Sequence, residues 1–169
     1  MSDGLTVVTV TYSPGPHLDR FLATLSHATE RPVTVIMADN GSTDGAPEEA
    51  TQRYSNARLL RMDGNLGYGT AVNRAVAEIE PESEFVMVAN PDVQWGPRSI
   101  DLLLEAAETS GIGLHNGHGG CVVAYADDMR KLRSFAIELL ERKKRFRSLR
   151  AKPQRGRSLQ RKQQLDFDL

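Results

Sequence analysis

The first 130 residues contain no lysine, and the whole chain has one cysteine. The lone Cys121 has no partner for an internal disulfide, so nothing points to an oxidising compartment, and in Cys-Val-Val it reads as a small buried hydrophobe. No apolar run approaches the ~18 residues needed to span a bilayer, and the acidic, glycine-containing start lacks the layout of a signal peptide. A soluble, cytoplasmic protein is therefore expected. What is present is ordinary for a globular chain: 169 residues, 40% hydrophobic and 25% charged, which excludes a wholly disordered or collagen-like protein. That length suits one domain, or one plus a tail, and lets ~70% of the unfolded surface be buried without disulfides.

The net charge of -1 conceals a division. Residues 1–129 hold 7 Lys+Arg against 18 Asp+Glu, a net of −11, whereas residues 130–169 hold 14 against 4, a net of +10. An acidic folded domain with a basic appendage is the expectation.

The acidic part alternates strand-like and helix-like segments. Leu5–Tyr12, Val33–Ala38, Ala57–Met62 and Phe85–Ala89 read as buried strands. Between and after them, residues 17–27, 46–54, 70–79 and 99–108 read as helices. Leu18, Phe21, Leu22 and Leu25 stand at helical spacing, with Pro16 suited to the first turn. Ala71, Val72, Ala75 and Ile79 line one side of the third helix, and Ile100, Leu103, Leu104 and Ala107 face inward from the fourth. This alternation predicts an α/β three-layer fold, a mostly parallel Rossmann-type sheet covered on both faces.

Its domain is expected to span 1–110. Residues 111–126 read as a glycine-rich linker, with a flexible loop at Gly111–Gly120 and one more possible strand at Cys121–Tyr125. Residues 127–152 are expected to form a basic amphipathic helix, from Asp127 to Arg150, and 153–169 a polar tail without structure.

In an open parallel sheet, ligands collect at the carboxyl ends of the strands. The polar sets fall at such ends: Tyr12, then Asp39 to Asp44, Asn65 to Gly69, and Asn90 to Asp92. Tyr12 offers a ring on which a base can lie, and Asp39 an acceptor for a base N–H or a ribose hydroxyl. Gly67 and Gly69 let backbone approach a ligand closely. Asp92 is a hard oxygen ligand for Mg²⁺ or Mn²⁺, which would neutralise a diphosphate. Each set also has an ordinary structural use. Asn40–Gly45 is turn chemistry with Asp44 as a helix N-cap, Asp39 ends a strand, and Asn90-Pro91-Asp92 makes a turn. Their order and spacing together favour the ligand site.

Four stretches carry a family resemblance: Val7–Gly15 (VVTVTYSPG), Ala38–Gly45 (ADNGSTDG), Asn65–Ala75 (NLGYGTAVNRA) and Ala89–Val93 (ANPDV). Residues 5–108 resemble the nucleotide-sugar-binding half of the family 2 inverting glycosyltransferases with the GT-A fold. Within that family the wording is most similar to actinobacterial rhamnosyltransferases. Those transfer L-rhamnose from dTDP-rhamnose to a polyprenyl-diphosphate-linked sugar, N-acetylglucosaminyl-diphospho-decaprenol, in cell-wall synthesis.

The resemblance implies that Tyr12 and Asp39 hold the donor's base and ribose, and that Asn65, Gly67 and Asn73 shape the nucleotide site. It places Asn90-Pro91-Asp92 where the family has Asp-X-Asp, with Asp92 as the metal ligand and Asn90 in place of the first carboxylate. It implies a nucleotide-diphospho sugar such as dTDP-rhamnose as partner, and a chain that is cytoplasmic or peripheral at the inner face of the membrane. Nucleic acid is not the expected partner.

The family's second half supplies a Glu-Asp general base, and no likeness to it is visible after about Ser110. Glu138 and Glu141 lie in a basic stretch without those surroundings. The expectation is a truncated or fused chain that keeps the donor site, lacks the base, and turns over poorly. The rival reading is a non-catalytic remnant or binding module whose basic helix, with Arg142 to Arg147, contacts an anionic partner. Tyr125-Ala126-Asp127-Asp128 resembles the metal-binding box of reverse transcriptases in those four residues only, and His115 and His118 supply two potential ligands, short of a metal site.

Overall fold

A computed structural model describes residues 4–80, 83–110, 114–117 and 121–125. Strand β1 (Gly4–Thr11), helix α1 (Pro16–Leu25), β2 (Val33–Asp39), α2 (Ala46–Arg53), β3 (Ala57–Arg61), α3 (Tyr68–Ala77), β4 (Ser83–Ala89) and α4 (Ser99–Ser110) follow in turn. Two short strands, β5 (Leu114–Gly117) and β6 (Cys121–Tyr125), come next. The six strands form one sheet in the order β3-β2-β1-β4-β6-β5. β1 pairs in parallel with β2 and β4, and β2 with β3, while β6 runs antiparallel to both β4 and β5.

The two faces of the sheet follow from strand alternation. Leu5, Val7, Val35, Met37, Phe85 and Met87 point to one face, where Leu18, Phe21, Leu22 and Leu25 of α1 and Ile100 and Leu104 of α4 join them. Val8, Val10, Ile36, Ala38, Val86 and Val88 point to the other, where α3 lays Ala71, Val72, Ala75 and Val76. Both faces are covered, so β1, β2 and β4 are buried along most of their length, with Thr6, Thr9 and Thr11 buried among the apolar residues of β1. Each large buried side chain of α1 contributes roughly 1.5–3 kcal/mol. This is the three-layer α/β arrangement that the periodicity predicts.

Several boundaries differ from the sequence reading. β1 ends at Thr11, so Tyr12 opens the following loop rather than closing the strand. α3 begins at Tyr68 rather than Thr70, because Gly67, with φ 82 and ψ 158, turns the chain directly into the helix. The helix over 46–54 is capped by Gly45 rather than by Asp44. Leu103 on α4 is half-buried and packs against the core from the expected inward face. Strand β5 lies inside the segment read as a flexible glycine loop: Leu114 pairs with Ala124 and Asn116 with Val122. A backbone ladder to a neighbouring strand needs no alternating side-chain pattern, which is why the glycine-rich composition hid it. The expected basic helix over 127–152 and the tail 153–169 lie outside the described residues.

Candidate functional site

The strand register sets one end of the sheet level. Thr11 stands opposite Asp39, Asp39 opposite Arg61, and Thr9 opposite Ala89. The residues that follow β1, β2, β3 and β4 therefore emerge along one edge. That edge contains the point where strand order reverses, between β1 and β4, the crevice in which open α/β sheets hold their ligands. Tyr12 and Asn90–Asp92 flank this crevice, and Asp39 stands two strands from β4, roughly 10 Å across.

Asp39 is buried at 2% exposure, and its carboxylate ties two loops together. Its Oδ1 accepts the Thr11 hydroxyl at 2.8 Å, the Ser42 hydroxyl at 2.5 Å and the Ser42 N–H at 3.2 Å. Among the described residues its Oδ2 is reached only by that same N–H, at 3.3 Å, which leaves lone pairs on Oδ2 unused. Asp39 is thus a strand-end anchor. Next to it, the Thr11 carbonyl accepts the Asn40 N–H at 2.9 Å, and Tyr12 presents a ring that is 63% exposed. Tyr12 and Asp39 are brought together at the ends of adjacent strands, as the site requires.

The loop after β1 is held onto the loop after β2. The Ser13 N–H donates to the Ser42 hydroxyl at 2.9 Å, and the Thr43 N–H donates to the Ser13 hydroxyl at 3.1 Å. Asp44 accepts the Gly15 N–H at 2.7 Å on one oxygen and the Ala46 N–H at 3.2 Å on the other. Asn40–Gly45 is therefore turn chemistry that also fixes the start of α1.

After β3, the Asn65 side chain accepts the Gly67 N–H at 3.1 Å, a local turn that shapes the entry to α3. No side-chain cap closes α3, so its first-turn N–H groups face the same edge and favour negative charge. Asn73 lies six residues beyond Gly67, about 9 Å along the helix. Its buried Oδ1 has no hydrogen-bond partner, and no contact joins it to Asn65 among the described residues. Asn40, at 3% exposure, likewise has an unpartnered Oδ1. Sequence reasoning grouped Asn40 and Ser42 with Asp39 as one polar set and as turn chemistry, without a role of their own, and gave Thr11 none. The available signal was their place beside Asp39 and Tyr12, but turn residues are common enough to mask it.

After β4, the Asn90 carbonyl accepts the Val93 N–H at 3.2 Å and closes the Asn90–Val93 turn. Asp92 is exposed and makes no ion pair or hydrogen bond among the described residues. No cluster of three or more His, Cys, Asp or Glu side chains able to hold a metal occurs among them either. One free carboxylate beside an amide fits a hard divalent ion that takes its other ligands from phosphate and water, and does not fit a site built wholly from protein. When bound there, such an ion would neutralise diphosphate charge.

Two cavities are found among the described residues, the larger reaching the loops after β1 and β2 through Gly15 and Asp44. One of about 400 Å³ between α1 and α2 is lined by Gly15, Pro16, Asp19, Asp44, Glu49 and Arg53 among others. There Arg53 pairs with Asp19 at 2.8 Å and the Tyr54 hydroxyl donates to Asp19 at 2.9 Å. Burial first, then this hydrogen bond and the Asp19 charge, raise the Tyr54 hydroxyl above its ordinary 10.0. A smaller cavity of about 170 Å³, lined by Leu22, Leu25, Thr29, Arg31 and Asn56 among others, lies at the opposite end of the sheet.

A parallel sheet with helices on both faces and polar loops at its carboxyl edge is the donor-binding architecture of GT-A glycosyltransferases. The sequence pattern of glycosyl transferase family 2 matches residues 6–161, and the chain belongs to that family. It is 65% identical over 116 residues to the N-acetylglucosaminyl-diphospho-decaprenol L-rhamnosyltransferase of two Mycobacterium tuberculosis strains. That alignment covers 63% of this chain, in its N-terminal part, and the chain spans 38% of the length of those curated relatives. The family match itself runs past Ser110, where the sequence reading saw no further likeness.

Among solved structures, the mannosyltransferase PcManGT of Pyrobaculum calidifontis, in complex with GDP-Man and Mn²⁺, superposes with a TM-score of 0.65 at 17% identity. The match covers 76% of this chain and 46% of that one. Staphylococcus aureus TarS residues 1–349 in complex with UDP-GlcNAc gives a TM-score of 0.56 at 20% identity, over 68% and 36% of the two chains. At these identities the likeness shows the GT-A fold.

Proposed function

We propose that the carboxyl edge of the sheet binds a nucleotide-diphospho sugar, dTDP-L-rhamnose, for inverting transfer to a polyprenyl-diphosphate-linked sugar at the cytoplasmic face of a membrane. The supporting observation is the strand register, which sets Tyr12, Asp39, Asn65–Gly67 and Asn90–Asp92 along one edge beside the β1/β4 crevice. The mycobacterial relatives, named for rhamnosyl transfer to a decaprenol-linked sugar, supply the choice of transferred sugar and acceptor.

In this reading the base lies on the Tyr12 ring, and Asp39 Oδ2 accepts a base N–H or ribose hydroxyl. The open first turn of α3, with Asn65 and Gly67, and Asn73 beyond it, shape the nucleotide pocket. Asp92 faces the diphosphate and would hold Mg²⁺ or Mn²⁺. Inverting transfer is a direct displacement. The acceptor hydroxyl oxygen forms a bond to the anomeric carbon as the bond to the diphosphate breaks, and a carboxylate takes the hydroxyl proton. Donor binding is the part of the reaction proposed for this chain, with slow transfer. No described helix is long and apolar enough to cross a membrane, and contact with the lipid-linked acceptor is peripheral in this proposal.

Calorimetry with dTDP-rhamnose in the presence and absence of Mn²⁺ tests the reading. The expected result is one-to-one binding that Mn²⁺ strengthens, with that gain lost in Asp92→Ala and binding itself lost in Asp39→Ala. Absence of any nucleotide-sugar binding sinks it. Salt-sensitive nucleic-acid binding that vanishes on deletion of residues 130–169 would favour the binding-module reading motivated by the +10 charge of that segment.

A further inference from the structure

The connection from β4 to α4 carries Asp92 and, with the start of α4, is fastened to the last turn of α1 and the residues just after it. The Trp95 N–H donates to the Thr24 hydroxyl at 3.2 Å. The Arg98 N–H donates to the His27 carbonyl at 3.0 Å, and the Ile100 N–H to the Ala28 carbonyl at 3.0 Å. The Trp95 ring lies 5.6 Å from that of Phe21, which is fully buried. The first of these contacts, nearest Asp92, is the only one of the three hydrogen bonds made by a side chain. The Thr24 hydroxyl lies 2.9 Å from the Arg20 carbonyl and 3.2 Å from the Phe21 carbonyl. Its proton is thus committed to α1, which leaves its lone pairs for the Trp95 N–H.

Helix α1 also begins just after Tyr12, where Asp44 fixes Gly15. One helix therefore meets the nucleotide loop at its start and the Asp92 loop near its end. We propose that Thr24 is a positioning residue: by holding Trp95 it sets Asp92 at a fixed place relative to Tyr12, so that one ligand is met at its base and at its diphosphate together. The inference rests on the reading of Asp92 as the metal-facing carboxylate. It adds a residue that touches neither ligand nor metal.

Thr24→Val removes the acceptor while keeping the shape of the side chain, and Thr24→Ser restores the hydroxyl. Mn²⁺ titration of the chain with dTDP-rhamnose present is expected to show about tenfold weaker metal affinity in Thr24→Val. Nucleotide affinity in EDTA stays unchanged, and Thr24→Ser returns the metal affinity to that of the parent. Unchanged metal affinity, or an equal fall in both affinities, overturns the proposal, because a merely structural threonine would not separate the two.

Amide hydrogen exchange provides an arm that needs no ligand. Thr24→Val is expected to speed exchange at Trp95 and its neighbours by about tenfold while β1, β2 and β4 keep their protection. Exchange that is unchanged there overturns the clamp. Failure of the parent chain to bind any nucleotide sugar overturns the donor-site reading instead.

Discussion

The two ends of the sheet are built from similar residue types and treat them differently. At the end where the strands begin, polar groups close on one another. Asn56 Nδ2 donates to the Val33 carbonyl at 3.1 Å, and the Leu5 N–H to the Pro32 carbonyl at 3.0 Å. Arg31 reaches Glu108 at 3.4 Å and lies over the Phe85 ring at 5.0 Å. At the end where the strands finish, Tyr12, Asn65 and Asp92 stand exposed. Ser13 and five glycines, six of the seven described residues with positive φ, also fall in the connections after β1, β2 and β3, while the seventh, Arg98, bonds back to His27. Unfavourable backbone and unused polar groups on the connections after β1, β2 and β3 are what the proposed donor edge would use, because the fold alone requires neither. At the other end the polar groups are paired beside a cavity of about 170 Å³.

The contrast is broken most strongly at Asp39. Asp39→Ala leaves the Thr11 hydroxyl and the Ser42 N–H without their buried partner, so stability falls by about 1–3 kcal/mol in denaturant unfolding. Nucleotide binding, read by calorimetry, is lost in the fraction that stays folded. Gly67→Ala comes next. An added Cβ meets nothing within 4 Å, so the cost of about 1–3 kcal/mol lies in the backbone at φ 82 and is accompanied by weaker nucleotide affinity.

At the opposite end, Asn56→Ala removes the hydrogen bond to Val33 and costs about 0.5–1.5 kcal/mol with no change in nucleotide affinity. A change in that affinity would dissolve the distinction between the two ends. The smallest effect is at Tyr54. Its raised value means that the folded chain holds the phenol proton more tightly than the unfolded chain. Stability from this source is complete below the ordinary 10.0 and falls as pH rises through the higher folded value. Tyr54→Phe is expected to remove that alkaline slope in thermal melts and to leave the neutral-pH binding isotherm unchanged.

The parallel half of the sheet was legible because both of its faces are buried. Runs such as Leu5–Thr11 and Val33–Ala38 can hardly be read otherwise, and the stripe of Leu18, Phe21, Leu22 and Leu25 settles α1. β5 was not legible, since Leu114–Gly117 is held by its ladder to Cys121–Tyr125 rather than by side-chain pattern. At the site, Tyr12 and Asp39 could be named from their place after apolar runs. The hydrogen bonds that anchor Asp39 could not, because they join Thr11 at the end of β1 and Ser42 in the loop after β2. Nor could the Trp95–Thr24 contact, which joins residues 71 positions apart. Sequence spacing conveys which residues follow a strand, and only the fold conveys which of them share a hydrogen bond.

Amide shift mapping of the isotopically labelled chain, titrated with dTDP-rhamnose and Mg²⁺, addresses the donor edge most directly. Perturbations are predicted at Tyr12, Asp39–Ser42, Asn65–Gly69 and Asn90–Val93, with residues 26–32 and 54–57 silent. Perturbations centred on those silent stretches, or none at saturating ligand, would contradict the account.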